Sequence, residues 1–225
     1  MKKVFLLLSI AVLFMFLSGS NALATYVYWA DWGSKTPSTD TSLGSATGTI
    51  GLPTGAITVT YGGELFNAAD QGDWSQYPGT YTSSIVDNAP SPDKVSIQLT
   101  GGNNIVNTLL FSAPVWNPVM AIQSLGRTNA PTTYQFLQKF SILSEGSGHW
   151  GGGDLVQDGL KLIGYEGNGV IQFTGMLSSI SWTVPVGEYY HMFTVGTSAV
   201  PLPGAALLLG SAILGLVGIR RRQLV

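Results

Sequence analysis

Cysteine is absent from this chain of 225 residues, and charged residues make up only 10% of it. Without cysteine the protein has no disulfide framework and no cysteine-ligated zinc or iron–sulfur site. An ordinary globular domain is about 25% charged, and a formal net charge of -2 argues against a basic nucleic-acid-binding protein. Disorder driven by high charge is also excluded, because 45% of the residues are hydrophobic.

The few charges are unevenly distributed along the chain. Residues 25–199 contain all 12 acidic residues but only five basic ones, so this middle region carries a formal charge of -7. The remaining basic residues lie at the two ends, with Lys2 and Lys3 before one apolar segment and Arg220–Arg222 after another. This pattern divides the chain into two terminal segments and one acidic middle domain.

The N-terminal segment, residues 1–24, has the three parts of a secretory signal. Two lysines precede an uncharged apolar stretch over residues 4–17, and the small residues Ala22 and Ala24 occupy the positions that signal peptidase reads. A short buried helix or an uncleaved anchor is the alternative. The short apolar stretch and the well-placed Ala-x-Ala site favour cleavage after Ala24, which predicts that the rest of the protein is exported.

The C-terminal segment, residues 200–225, predicts a transmembrane helix. Its apolar run over residues 204–219 would extend about 24 Å as a helix, somewhat less than the roughly 30 Å hydrocarbon core of a bilayer. Arg220, Arg221 and Arg222 mark the cytoplasmic side of the membrane. Their side chains would reach outward to the lipid headgroups, and local thinning of the bilayer would compensate for the remaining difference in length. Both ends therefore place the middle domain outside the cytoplasm.

A Pro-x-Pro motif directly before this run is formed by Val200, Pro201, Leu202, Pro203 and Gly204. Together with the apolar span, the arginine cluster and the signal peptide, it resembles the PEP-CTERM sorting signal of Gram-negative bacteria. Leu202 replaces the usual glutamate, as in a known variant of that signal. The resemblance implies processing near the motif by an exosortase-type membrane protease and delivery to the cell surface or extracellular matrix, often with exopolysaccharide. A plain C-terminal membrane anchor is the alternative, and the physical properties support it equally.

The middle domain, residues 25–199, has the pattern of an all-β protein. Short alternating or apolar segments predict strands, and turns rich in Gly and Asn separate them. We therefore predict one antiparallel, jelly-roll-like β-sandwich, with a signal helix before it and a transmembrane helix after it. The Ser- and Thr-rich region Ser34–Thr49 is predicted to be a loop or a sheet edge. The predicted strands are Tyr26–Trp29, Ala56–Tyr61, Lys94–Thr100, Ile105–Phe111, Val119–Leu125, Thr133–Leu143, Leu160–Tyr165, Val170–Thr174, Ser179–Val184 and Tyr189–Val195.

Catalytic motifs are weak in this domain. His149 lies in a Gly-rich loop close to Asp154, but no Gly-x-Ser-x-Gly elbow accompanies it, so nucleophilic catalysis is not predicted. Paired carboxylates of a glycoside hydrolase are the next candidate, although the spacing places no two acidic residues as near neighbours on one strand. The three glutamates considered for that role are Glu145, Glu166 and Glu188.

No cofactor is predicted from a motif, and no metal site has a recognisable ligand spacing. A structural calcium ion is an option, because calcium takes six to eight oxygen ligands and several loops are rich in oxygen donors. These donors are at Asp70, Asp73, Asp87 and Asn88, and their spacing does not fit an EF-hand loop.

The aromatic residues give the best indication that this domain binds a ligand. All six tryptophans and all nine tyrosines lie in residues 25–199, and these amphipathic rings suit half-exposed sites on which sugars stack. Trp74, Tyr77, Trp150 and Tyr189 lie in or beside polar segments and are the candidates for glycan stacking, with core packing as the alternative for each. Two other tryptophans, at 116 and 182, lie in apolar patterns that predict core positions.

The predicted function is therefore that of a non-enzymatic protein with a structural or adhesive role in the cell envelope or extracellular matrix of a Gram-negative bacterium. Its expected partners are signal peptidase, an exosortase, the membrane before processing, and exopolysaccharide as a candidate ligand. The alternative function is a secreted carbohydrate-active enzyme on the same β-sandwich.

Overall fold

The computed structural model of the protein describes residues 24–68, 72–91 and 96–199. The sequence features at Ala22 and at residues 200–225, including the Pro-x-Pro motif and the arginine cluster, lie outside these ranges. Within them, no helix has both the length and the apolar character needed to cross a membrane.

The described residues form two antiparallel β-sheets. Six strands make the first sheet: β1 (Val27–Trp29), β5 (Ile97–Leu99), β7 (Val119–Leu125), β9 (Phe140–Glu145), β12 (Gly167–Phe173) and β14 (His191–Ser198). Eight strands make the second: β2 (Asp31–Thr36), β3 (Gly44–Leu52), β4 (Gly55–Gly63), β6 (Asn107–Trp116), β8 (Thr132–Phe136), β10 (Leu155–Asp158), β11 (Lys161–Gly164) and β13 (Met176–Thr183). Two short 3-10 helices, Trp74–Gln76 and Pro78–Tyr81, lie between β4 and β5.

The order of the strands places β14, β7 and β12 in the middle of the first sheet. That sheet runs β1-β14-β7-β12-β9, with β5 also paired to β14, and the second runs β10-β11-β8-β13-β6-β4-β3-β2. The sheets pack face to face, because buried residues of both form one continuous core. The prediction of an all-β sandwich is therefore confirmed.

Side-chain alternation decides which tryptophans enter this core. Trp182 of β13 is buried, as expected, and packs edge-to-face on Phe193 with 5.1 Å between ring centroids. Trp116 was expected in the core but is 47% exposed. The reason is that the preceding residue, Val115, points inward, so Trp116 faces the opposite side of the strand.

A second core cluster covers the outer face of the six-stranded sheet. Trp74, Tyr81 and Val86, from the segment that links β4 to β5, pack there against residues of β7 and β12. Strand β7 is consequently buried at every position, which explains why its first four residues, 119–122, are all apolar. Trp74 is fully buried, with its ring centroid 5.0 Å from that of Tyr81, so its face is not available to a sugar. Tyr77 is half-buried against the same cluster.

The region Ser34–Thr49 is only in part what its composition predicts. Strand β2 does form an edge of the eight-stranded sheet, but β3 lies inside the sheet, so the loop prediction is wrong there. The inward positions of β3 include glycine and alanine, and hence the strand lacks apolar alternation. Gly48 has to be small because a Cβ atom there would lie 2.8 Å from the indole ring of Trp32.

The segment Thr133–Leu143, predicted as one strand, forms parts of two. It divides between β8, in the eight-stranded sheet, and β9, in the six-stranded sheet. The chain therefore crosses from one layer to the other within residues 137–139, a change of sheet that no Gly or Pro marks in the sequence.

Candidate functional site: an aromatic pocket with two glutamates

One end of the sandwich carries a pocket of about 530 Å³. It forms where β7 ends and where β12 and β14 begin, since Leu125 pairs with Gly167 and Gln123 with Met192 across these neighbouring strands. The loop between β9 and β10 supplies a further wall. The aromatic and acidic side chains that line the pocket are Phe66, Trp150, Tyr189, Tyr190, Glu166 and Glu188.

A β-bulge shapes one side of this pocket. Gln123 and Ser124 of β7 face the single residue Asn168 of β12, so the paired strands shift register at that point. Ser124 adopts φ of 58° and Glu166 adopts φ of 73°, a region that non-glycine residues rarely occupy. Such backbone strain persists where the surrounding contacts hold it, and it is enriched at functional sites. The Ser124 hydroxyl donates a hydrogen bond to Oε1 of Glu166.

Asn168 holds three of the pocket segments together. Its side-chain Oδ1 accepts a 2.8 Å hydrogen bond from the backbone N of Ser124. Its Nδ2 donates to the carbonyl oxygens of Glu166 at 2.9 Å and Gly151 at 3.3 Å. Asn168 is only 1% exposed, and its bond to the backbone N of Ser124 is buried, so no solvent could replace the amide oxygen there. No motif in the sequence indicates this role, because Gly167-Asn168-Gly169 has the composition of a turn.

Glu188 is fixed by a buried histidine. Its Oε1 lies 2.8 Å from Nδ1 of His191 and accepts a 2.7 Å hydrogen bond from the backbone N of Gly126. The side chains of His191 and Glu188 are 0% and 2% exposed. The His191 ring packs edge-on against Tyr134 with 5.1 Å between centroids, and the pair therefore has little freedom to move.

The two pocket glutamates influence each other. Burial raises the pKa of Glu166 above its ordinary value, the charge of Glu188 raises it further, and the hydrogen bond from Ser124 opposes both effects. Both carboxyl groups use Oε1 for their hydrogen bonds. Among the described residues, none donates a hydrogen bond to the second oxygen, Oε2, of either group, so each retains an acceptor for a ligand.

The aromatic rings form a corner beside these carboxyl groups. Trp150 and Tyr190 stand at 90° to each other with 5.3 Å between their centroids. Tyr189 is 78% exposed, and the guanidinium carbon of Arg127 lies 5.1 Å from its ring centroid. The structure thus brings Trp150 and Tyr189 into one pocket, together with the adjacent Tyr190.

The other sequence candidates for chemistry do not join the pocket. His149 contacts Asp73 rather than Asp154, with 3.2 Å between Nδ1 and Oδ2. Glu145 accepts a 3.0 Å hydrogen bond from the backbone N of Leu155 and does not line the cavity. Of the three glutamates considered for hydrolysis, the structure therefore brings together only two.

Of the four residues considered for calcium, Asp73 and Asn88 form hydrogen bonds elsewhere, Asp70 lies outside the described ranges, and Asp87 is exposed. Asp73 accepts a hydrogen bond from Gln76, and the Asn88 side chain bonds the backbone of Val27 in both directions. Asp70 is not among the described residues. Over the ranges that the structure covers, no group of three or more His, Asp or Glu side chains is arranged to hold a metal ion.

Comparisons with protein-family models, with curated proteins and with solved structures gave no match. The chemistry of the site consequently has to be inferred from its own residues and their geometry.

Proposed function

We propose that this protein is exported, sorted to the cell envelope or extracellular matrix, and binds a saccharide of the surrounding exopolysaccharide in the pocket of Trp150, Glu166 and Glu188. The observation that supports this most strongly is the meeting of exposed aromatic rings and two carboxyl groups in one cavity. A volume of about 530 Å³ also lies in the range common for small-molecule sites.

A sugar ring has both of the surfaces that this pocket would contact. Its C–H face would stack on Trp150 or Tyr190, whose perpendicular rings form two walls. Its hydroxyl groups would donate hydrogen bonds to the free carboxyl oxygens of Glu166 and Glu188. Because Ser124 and His191 contact these carboxyl groups and restrict their movement, little conformational entropy would be lost on binding.

Net charge does not favour an anionic polymer as ligand. Residues 25–199 carry a formal charge of -7, which repels a polyanion over the whole surface. Retention on a matrix would therefore depend on stacking and hydrogen bonding in the pocket.

The localisation of the protein in this proposal rests on its two terminal segments. Signal peptidase would cleave after Ala24, and an exosortase would process the chain near Pro201–Pro203 after the membrane helix has held it. The flanking helices and the jelly-roll-like character of the sandwich belong to the same proposal. The pocket would then face the extracellular space, where exopolysaccharide is encountered.

Calorimetric titration of the purified protein with oligosaccharides from exopolysaccharide tests the binding. We expect Trp150→Ala to weaken the affinity about tenfold or more, because it removes a stacking surface. Trp116→Ala is the matched control, since Trp116 is similarly exposed but lies on the outer face of β6. The absence of any retention in glycan arrays and in matrix pull-downs would contradict saccharide binding.

The sorting step has a separate test. Deletion of residues 200–225 should abolish normal processing and surface delivery, and mass spectrometry of the native protein should find termini near residue 25 and near the Pro-x-Pro motif. An unchanged mature mass and location after the deletion would contradict sorting by this segment while leaving saccharide binding untouched.

Glycoside hydrolysis is the second candidate, favoured by the raised pKa of Glu166 next to Glu188. A carboxyl group that keeps its proton can act as general acid, and a neighbouring ionised carboxylate as nucleophile or base. Glu166→Gln should then abolish the release of reducing ends while oligosaccharide binding persists. If the unmodified protein releases no reducing ends from any bound oligosaccharide, the pocket functions in binding alone.

A further inference from the structure

We propose that the pocket selects saccharides with a free amino group, so that its preferred ligand is a protonated hexosamine unit within a glycan. This inference rests on the proposed function, because it assumes that the pocket of Trp150, Glu166 and Glu188 binds a saccharide. It adds the chemical class of the sugar that the pocket would take.

The balance of charge in the pocket points to a cationic group. Two carboxyl groups line it, and Arg127 is its one cationic lining residue within the described chain. The Arg127 guanidinium stacks on Tyr189, and in the described ranges it forms no salt bridge with either glutamate. Within the part of the chain that the structure describes, neither carboxyl group therefore has a lysine or arginine partner, and His191 contacts Glu188 from the buried side.

The free acceptors match the donors of an ammonium group. Oε2 of Glu166 and Oε2 of Glu188 accept no hydrogen bond from the described residues, whereas an ammonium group has three donors. A hydroxyl group also forms a charge-assisted hydrogen bond with a carboxylate, but an ammonium group adds the attraction between opposite charges. An ammonium group between the two carboxyl groups would also offset the repulsion by Glu188, which adds to the effect of burial in raising the pKa of Glu166.

The aromatic corner would strengthen the same preference. Trp150 and Tyr190 line the cavity with electron-rich rings, and such rings attract a cation over their faces. A hydroxyl or an acetamido group at the same position of the sugar carries no charge and gains nothing from this attraction. Stacking of the sugar ring itself would be similar for all three substituents.

Three oligosaccharides with the same β-1,4 linkage test the inference, because they differ only at carbon 2. These are oligomers of glucosamine, of N-acetylglucosamine and of glucose, titrated into the purified protein by calorimetry at one ionic strength. We expect the glucosamine oligomer to bind about tenfold more tightly than the other two, since only its ammonium group adds a charge–charge attraction to the carboxyl groups.

Single-charge variants show where the preference arises. Glu166→Gln and Glu188→Gln should each reduce the preference for the amino sugar several-fold, because the affinity for the glucosamine oligomer should fall more than the affinity for the glucose oligomer. Asp158→Asn removes one exposed charge from β10, outside the pocket, and should leave the preference unchanged. Thermal unfolding identifies a variant that does not fold, and Glu166→Gln, which replaces a less buried group, serves if Glu188→Gln fails.

The outcomes separate this inference from the proposed function. Equal affinity for the three oligomers would overturn the amine selectivity and leave saccharide binding intact. A preference that persists in both glutamine variants would overturn it as well, because attraction by the overall acidic surface would then be the cause. If no oligosaccharide binds in this set or in a glycan array, the proposed function fails and the inference with it.

Discussion

The side-chain Oδ1 of Asn168 accepts a 2.8 Å hydrogen bond from the backbone N of Ser124, across the bulge between β7 and β12. The bulge gives β7 one extra residue, and without this contact the backbone N–H of Ser124 would have no hydrogen-bond partner. The Asn168 side chain of β12 supplies the missing acceptor. The same amide reaches the carbonyls of Glu166 and Gly151, so one buried side chain positions the strained backbone, the acidic residue and the Gly-rich loop that carries Trp150.

Replacement of this amide should lower stability and binding together. Asn168→Ala leaves the buried backbone N of Ser124 without its acceptor and removes one of the hydrogen bonds to the carbonyls of Glu166 and Gly151, so we expect the free energy of unfolding to fall by about 1–3 kcal/mol. Saccharide affinity should fall as well, because Trp150 and Glu166 lose a common support. Denaturant unfolding and calorimetry measure the two effects. Asn129→Ala, at an exposed loop position, is the control, and equal behaviour of the two variants would contradict the role assigned to Asn168.

Trp74 and Trp150 should respond to substitution in opposite ways. Trp74→Ala removes a fully buried indole from the cluster beside β7, and we expect it to lower the free energy of unfolding by about 3–5 kcal/mol. Trp150→Ala removes a side chain that is 43% exposed, so stability should change little while saccharide affinity falls. Chemical denaturation and binding titration of both variants check the contrast, which a large stability loss in Trp150→Ala would refute.

The Gly-rich loop depends on the close approach of two backbones. A Cβ atom at Gly153 would lie 1.8 Å from the carbonyl oxygen of Tyr165, so Gly153→Ala has to displace the loop. We expect a loss of about 1–3 kcal/mol in stability, typical of overpacking, and weaker saccharide binding. Gly79→Ala is the matched control, because a Cβ atom there meets nothing within 4 Å. If Gly153→Ala unfolds and binds saccharide as the wild type does, the loop tolerates the displacement and the prediction is contradicted.

Glu166 should make stability depend on pH. Its pKa is raised in the folded protein, mainly by burial and then by Glu188, so the folded state holds this proton more tightly than the unfolded state. The resulting stabilisation is present below the unfolded-state pKa and is lost as the pH rises through the folded-state pKa. Between about pH 4 and pH 7, Glu166→Gln should therefore become more stable relative to the wild type. Urea unfolding across this range measures the difference, and parallel pH profiles of the two proteins would contradict the raised pKa.

Several strands could be predicted from local patterns because their pattern and their burial agree. Val119–Leu125 was predicted with the observed bounds, and Ala56–Tyr61 lies within β4. The loop prediction for the β3 region failed because Gly and Ala occupy inward positions beneath the large ring of Trp32, a pairing between strands that no local window contains. Trp74 likewise lies in a polar segment, and only the packing of residues 74–86 over the outer face of β7 buries it.

The sequence by itself determined the all-β class of the middle domain, its acidic charge and the expectation of export, because strand periodicity, charge counts and targeting motifs are local properties of a chain. The pocket was decided only by the tertiary structure. Glu166 and Glu188 are 22 positions apart in the chain, and neither has a motif that relates it to Trp150. They line one cavity because antiparallel pairing brings the end of β7 and the starts of β12 and β14 to the same rim of a sheet, and because a buried asparagine and a buried histidine hold them there.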